Sequence, residues 1–208
     1  MTQLRVLVTE AEPGTAQVAV DELRRAGHEV LTCHEPGAPA FPCVGLQADH
    51  TCPLHGGAVD VTLAVRHTPS SHPARAEDGV LCSLRHHVPV VVAGNTLFDP
   101  FEAWETVAID RTYDVVDTCE RVVQEPSRRH TEIAANAVME VLRRHEREDL
   151  TFLVAVRRQH GVLKTEVRGP DDVPLALRNM IAVRISGVLR AFDQDAAGID
   201  VDFVELPA

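Results

Sequence analysis

Short apolar runs alternate with helix-like stretches through the first half of the chain, and that alternation limits the fold more than any other feature. LRVLVTE (4–10) reads as a buried strand. After the turn signal EPG, Thr15 stands as an N-cap, and Val18, Ala19, Val20 and Leu23 form a helical stripe that stops at Gly27. HEVLTC (28–33), VDVTLAVR (59–66), VPVVVAG (88–94) and the weaker TVAID (106–110) continue as strands, with helices expected around 76–87 and 112–124. Such an order builds an α/β unit with a parallel sheet and right-handed crossovers.

A second unit begins after QEP (124–126). HTEIAANAVMEVLRRHERED reads as a helix with Thr131 as its cap. LTFLVAVRR and VLKTEVRG flank QHG (159–161) as a hairpin, DVPLALRNMIAVRISGVLRAFDQ is a long amphipathic helix, and IDVDFVEL (199–206) alternates as a last strand. The expected division is 1–125 for the α/β unit and 126–208 for a small α+β unit of order α-β-β-α-β, with its helices on one face of a sheet.

Charge narrows the partners. The 208 residues carry a net charge of −11, and it is concentrated at the front: 18 acids face 8 arginines over 1–125, against 13 acids and 12 basic residues over 126–208. General nucleic-acid binding, which rests on neutralising phosphates, is therefore not expected. No run approaches the roughly 18 apolar residues of a membrane span, and the N-terminus opens directly on a strand pattern without a signal peptide. A cytoplasmic protein is the expectation, and cysteines there are more often free, metal-bound or redox-active than paired. Lys164 is the one lysine in the chain.

RVLVTEAEPGTAQVAVDELRRAGHEV resembles the opening of a response-regulator receiver domain, which implies a flavodoxin-like fold for roughly the first 125 residues. The resemblance also implies chemistry that these residues do not supply. Glu10 matches one magnesium-binding acidic position, but Ala11 follows it; the phosphoacceptor position falls on Val65; and the required lysine is absent from this half. A degenerate pseudo-receiver without phosphotransfer is the reading. No G-x-x-x-x-G-K-[ST] or G-x-G-x-x-G is present to cradle a nucleotide phosphate. In the second unit, the IAANAVMEV helix, hairpin, long helix and VDFVEL strand are similar in pattern to the alkaline-shock protein family, which implies a stress-linked scaffold or membrane-associated partner without catalytic residues; self-association or docking on a protein partner through this unit is expected.

The connection between the second and third strands departs from the α/β pattern. CHEPGAPAFPCVGLQADHTCPLH (33–55) has neither helical nor strand periodicity where a crossover helix normally lies. A structureless connection longer than about 12–15 residues is usually functional, disordered or stapled. This one carries Cys33, Cys43 and Cys52, and Cys82 lies on the helix after the next strand. Three readings stay open. The thiols can be small buried hydrophobes. They can bind Zn²⁺, with His55 of CPLH as an alternative fourth ligand, although gaps of nine and eight residues are not the tight C-x2–4-C knuckles of most structural zinc sites. Or Cys33, Cys43, Cys52 and Cys82 can hold an iron–sulfur cluster of the 4Fe-4S type, which all-thiolate ligation and the Cys52-Pro53 pair suit. The cluster is placed ahead of zinc.

Elsewhere Cys119 sits among Val115, Val116 and Val122 as a core thiol. His67, Ser70, Ser71 and His72 form a polar loop, His86 lies four residues after Cys82 as a further possible ligand, and Leu97, Phe98, Phe101 and Trp104 read as packed. No catalytic residue is assigned. The expected function is that of a non-catalytic, metal-binding, redox- or metal-responsive regulatory or scaffold protein. The alternative is an enzyme or small-molecule binder using the carboxyl edge of the sheet beside Thr9, Ser70 and Asn95, with the cysteine centre purely structural.

Overall fold

The computed structural model describes residues 3–34, 40–47, 51–55, 59–95, 97–104, 107–110 and 114–205. They divide into two compact units, Met1–Gln124 and Glu125–Ala208. In the first, β1 (Arg5–Glu10), β2 (Glu29–Thr32), β3 (Val61–Arg66), β4 (Val90–Gly94) and β5 (Val107–Ile109) form one sheet in the order β2-β1-β3-β4-β5, with every neighbouring pair parallel. Flavodoxin-like sheets use this order. β3 is buried along its whole length, which is why its sequence does not alternate apolar with exposed polar residues; its two polar side chains, Thr62 and Arg66, are buried as well.

The period of two sorts the strand side chains between the two faces. Val6, Val8, Leu63 and Val65 pack with Ala19 and Leu23 of α1 (Gln17–Arg25) and with Val115, Cys119 and Val122 of α3 (Val115–Gln124). On the opposite face, Ala64, Val90 and Val92 meet Val80 of α2 (Asp78–Arg85) and Phe101. Beside them Leu7 packs with Leu54, Val59 and Val88. α2 is tied to β3 by a buried chain in which the Thr62 hydroxyl donates to Ser83 Oγ at 2.6 Å and Ser83 donates to the Gly79 carbonyl at 2.7 Å.

Two local expectations are corrected here. Thr15 does not cap α1: its hydroxyl donates back to the Glu12 carbonyl, and the Glu10 carboxylate at the end of β1 accepts the Ala16 N–H at 3.1 Å instead. Of the apolar residues in the segment after β4, Phe101 is buried while Leu97, Phe98 and Trp104 stay exposed. The Asp99 carboxylate takes the Phe101 N–H at 2.8 Å and turns the segment so that one ring points inward. The strand and helix expected at 106–110 and 112–124 begin in residues outside the described set and are described from Val107 and Val115 onward.

The second unit runs α4 (Arg128–Arg144), β6 (Leu153–Gln159), β7 (Val162–Gly169), α5 (Leu175–Phe192) and β8 (Gly198–Glu205). The sheet order is β6-β7-β8, antiparallel between β6 and β7 and parallel between β7 and β8. His160 and Gly161, at φ 48° and 78°, give the two positive φ values that a two-residue hairpin turn requires. Ala134, Val138 and Leu142 of α4 and Ile181, Ile185 and Leu189 of α5 close over Val156, Leu163 and Val167.

Thr131 is not the cap of α4, which opens three residues earlier behind Ser127; the Thr131 hydroxyl accepts the Val156 N–H at 3.0 Å and clamps the helix to β6. The Ser127 hydroxyl lies 2.7 Å from His130 Nδ1, and His130 Nε2 lies 2.9 Å from Asp193 Oδ2, which also receives the Arg158 guanidinium. Burial pulls the Asp193 carboxyl up, but His130 and Arg158 outweigh it and hold the group below its ordinary value. No helix among the described residues is long and apolar enough to cross a membrane.

Candidate metal centre

β2 ends at Thr32, and the next residue, Cys33, lies at the carboxyl end of the strand on the face away from α1 and α3. From there the described parts of the connection, 40–47 and 51–55, hold a three-residue 3-10 turn, Val44–Leu46, and no α-helix. Residues 35–39, 48–50 and 56–58 of the expected 33–58 loop lie outside the described set. Backbone hydrogen bonds give the rest its shape. Val44 N–H donates to the Cys33 carbonyl at 2.7 Å, Leu46 N–H to the Cys43 carbonyl at 3.0 Å, and His55 N–H to the Cys52 carbonyl at 2.9 Å. Leu54 is fully buried against Leu7, and Cys33, Cys52 and Cys82 pack on the same apolar cluster.

Two glycines let the segments close in. A Cβ on Gly45 would lie 2.8 Å from Cys52 Cβ, so the 3-10 turn rests directly on Cys52. A Cβ on Gly79 would lie 2.8 Å from Cys33 Sγ and 2.9 Å from Thr9 Cγ2, so the first turn of α2 rests on the ends of β1 and β2. With the loop folded in this way, Cys33, Cys43, Cys52 and Cys82 all line one cavity of about 190 Å³, with His34 and Asp78 also on its wall. His55 is exposed and does not line it. All four cysteines are free thiols of intermediate exposure. Burial, then the neighbouring Cys52, Cys82, Cys43 and Asp78, push the Cys33 thiol up to about 12. Burial and Cys52 raise Cys82 as well. Among the described residues, no group of three or more His, Cys, Asp or Glu side chains is set as it stands to hold a metal ion.

Cys119 belongs elsewhere. It is buried in the α1–α3 core, where desolvation and Glu120 push its thiol up to about 12. His86 follows α2 as its C-terminal cap, its N–H donating to the Cys82 carbonyl at 3.1 Å, and it does not line the cavity.

The carboxyl edge of the sheet shows different chemistry. In a 2-1-3-4-5 sheet the ligand crevice opens between the ends of β1 and β3. Here the Glu12 carboxylate spans that place and accepts the N–H groups of His67 and Thr68 at 3.3 and 3.1 Å. Burial opposes charging Glu12, but hydrogen bonds from Thr68 and His67 prevail and hold its carboxyl below the ordinary value. Beside it, Arg66 at the end of β3 is 1% exposed, pairs with the fully buried Glu77 at 2.6 Å, donates to the Ser70 carbonyl at 2.9 Å and lies over the Phe101 ring. Gly94 at φ 106° allows the close approach, since a Cβ there would sit 2.1 Å from the Arg66 carbonyl oxygen. Thr9 is buried, Ser70 and His72 bond to each other on the surface, and Asn95 Oδ1 is taken by Leu97 N–H. The three residues named for an edge ligand are thus not presented together to solvent.

Sequence reasoning missed the Glu12 bridge, the Arg66–Glu77 pair and the Ser127–His130–Asp193–Arg158 junction. Only the arginine ending an otherwise apolar strand signalled any of them. No family model matches the chain, and no curated protein matches it at a significant level.

Proposed function

We propose that the chain binds an iron–sulfur cluster through Cys33, Cys43, Cys52 and Cys82 and acts as a non-catalytic, metal- or redox-responsive regulatory protein. The observation that carries this reading is the convergence of all four thiols on one cavity from a strand end, two parts of one loop and a helix. A single tetrahedral zinc requires its sulfurs within about 2.3 Å of one point. A cluster instead takes each thiolate on a separate iron. Thiols ringing a cavity of about 190 Å³ fit the second demand better. That cavity exceeds the roughly 150 Å³ known to admit a benzene-sized guest.

The placement explains why the site matters to the fold. Leu54 and the three cysteines packed with it cover Leu7 and Leu31 on the sheet face where the crossover helix between β2 and β3 would lie. Ligation would supply the rigidity that a helix gives through its own hydrogen bonds, and loss of the cluster would alter that face of the protein. The closed carboxyl edge supports a non-catalytic reading over the edge-binding alternative.

The test is anaerobic purification followed by absorption spectroscopy and iron, sulfide and zinc analysis. Broad visible absorbance with iron and sulfide in equal amounts supports the reading. Stoichiometric zinc without colour moves the site to zinc, and protein free of all three overturns it.

A further inference from the structure

We infer that the four cysteines are not equivalent: Cys33, Cys52 and Cys82 fix the cluster in the wall of the protein, and Cys43 is a replaceable ligand whose iron accepts a thiolate from outside the chain. The inference rests on the cluster reading above and adds to it a site of ligand exchange.

The asymmetry is built into the packing. Cys33, Cys52 and Cys82 pack against the buried cluster of Leu7, Leu54, Val59 and Val88, and Cys43 is the one of the four outside it. Each of the three is held by an element outside the Val44–Leu46 turn. Cys33 continues β2 and is pressed by Gly79. Cys52 lies two residues before the fully buried Leu54. Cys82 lies within α2, which the Thr62–Ser83–Gly79 chain fastens to β3.

Cys43 instead directly precedes the 3-10 turn Val44–Leu46. The turn closes mainly on itself, through Leu46 N–H to the Cys43 carbonyl, Gln47 N–H to the Val44 carbonyl at 3.1 Å and Gln47 Nε2 to the Pro42 carbonyl at 3.4 Å. Among the described residues its contacts outward are the bond from Val44 N–H to the Cys33 carbonyl and the packing of Gly45 on Cys52. Phe41 and Leu46 on either side are 61% and 66% exposed. A segment bonded to itself, with its apolar neighbours in solvent, can lift as a unit without opening the core.

The exchange conserves atoms and charge. The bond from iron to Cys43 Sγ breaks, a bond from iron to the incoming sulfur forms, and the proton released by the incoming thiol is taken up by Cys43. No electron is transferred. A small thiol of the glutathione type and a cysteine on a partner protein offer the same chemistry.

Cys→Ser variants at the four positions, with Cys43→Ala as a second variant at that position, are reconstituted anaerobically with ferrous iron and sulfide. Circular dichroism before loading checks that each is folded. The expected result is that C33S, C52S and C82S lose iron by more than the roughly tenfold that losing even an outer-shell partner costs. C43S and C43A keep their iron, and the electron paramagnetic resonance spectrum of their reduced clusters shifts when glutathione is added. A wild-type spectrum that shifts with a cysteine-containing peptide but not with glutathione assigns the incoming thiolate to a protein. Equal iron loss in all four variants overturns the inference while leaving the cluster reading intact. Retained iron in C43S with a spectrum insensitive to both thiols also overturns it. A wild type that takes up no iron overturns both.

Discussion

Two glycines in helices, Gly79 in α2 and Gly187 in α5, make opposite predictions for the same substitution, and their comparison tests the packing of the cysteine site directly. Replacing glycine by alanine inside a helix gains about 0.8–1 kcal/mol of intrinsic propensity. At Gly187 nothing lies within 4 Å of a Cβ, so Gly187→Ala should show that gain in full. At Gly79 the added methyl would stand 2.8 Å from Cys33 Sγ and 2.9 Å from Thr9 Cγ2. Overpacking of this kind costs about 1–3 kcal/mol, so the net effect of Gly79→Ala is a destabilisation of about 0–2 kcal/mol. The two variants should therefore differ by roughly 1–3 kcal/mol despite identical chemistry. Urea unfolding followed by circular dichroism measures each, with G187A read from the second unit's transition and G79A from the first. Cys33 Sγ is also the atom that would bind iron, so G79A should lose more in cluster occupancy than in stability. A Gly79→Ala variant stabilised as much as G187A would refute the close approach of α2 to Cys33 and, with it, the geometry of the cavity.

Asp193→Ala removes the buried carboxylate that Arg158 and His130 share, and should cost about 3–5 kcal/mol in the unfolding of the second unit. Because the folded Asp193 carboxyl lies below its ordinary value, its contribution is present above the unfolded value of about 3.9 and is lost as pH falls through the folded value. Acid unfolding of the D193A variant should consequently be less steep in that window than that of the wild type. Gly94→Ala should destabilise the first unit by more than about 1 kcal/mol, because Gly94 combines φ 106° with 2.1 Å from a Cβ to the Arg66 carbonyl oxygen; a thermal midpoint unchanged from wild type would contradict this. Alkylation of metal-free native protein at neutral pH, read by peptide mass spectrometry, should modify Cys43 and leave Cys119 untouched, since Cys119 is fully buried with its thiol raised to about 12.

The parallel sheet was readable because β3 and β4 are mainly apolar on both faces, as two-sided burial demands, and because helical stripes separate the strands. The hairpin at His160–Gly161 announced itself through its glycine. Helix starts were misjudged at Thr15 and Thr131 for one reason: each hydroxyl is engaged elsewhere, Thr15 on the Glu12 carbonyl while Glu10 of β1 takes the Ala16 N–H, and Thr131 on the Val156 N–H of β6, and propensity does not see such contacts. The same blindness hid the Glu12 and Arg66 contacts. For the cysteines, spacing could nominate Cys33, Cys43, Cys52 and Cys82 but could not choose between Cys82 and His55. What separates the two in the fold is placement: Cys82 lines the cavity with the other three cysteines, while His55 is exposed and does not line it.

The contacts of Glu12 and Arg66 have a bearing on what this sheet can become. In α/β folds the gap between the first and third strand ends is the place where new ligands are acquired, because loops there can change without disturbing the layers beneath. In this chain that gap is fastened shut by a carboxylate on one strand's loop and a buried guanidinium–carboxylate pair on the other. Substituting Arg66 or Glu77 would leave the partner's charge in the interior before it offered any room to a ligand. Variation is thereby turned away from the edge and toward the sheet face under the cysteine loop, the part of this unit where composition can drift without breaking an ion pair.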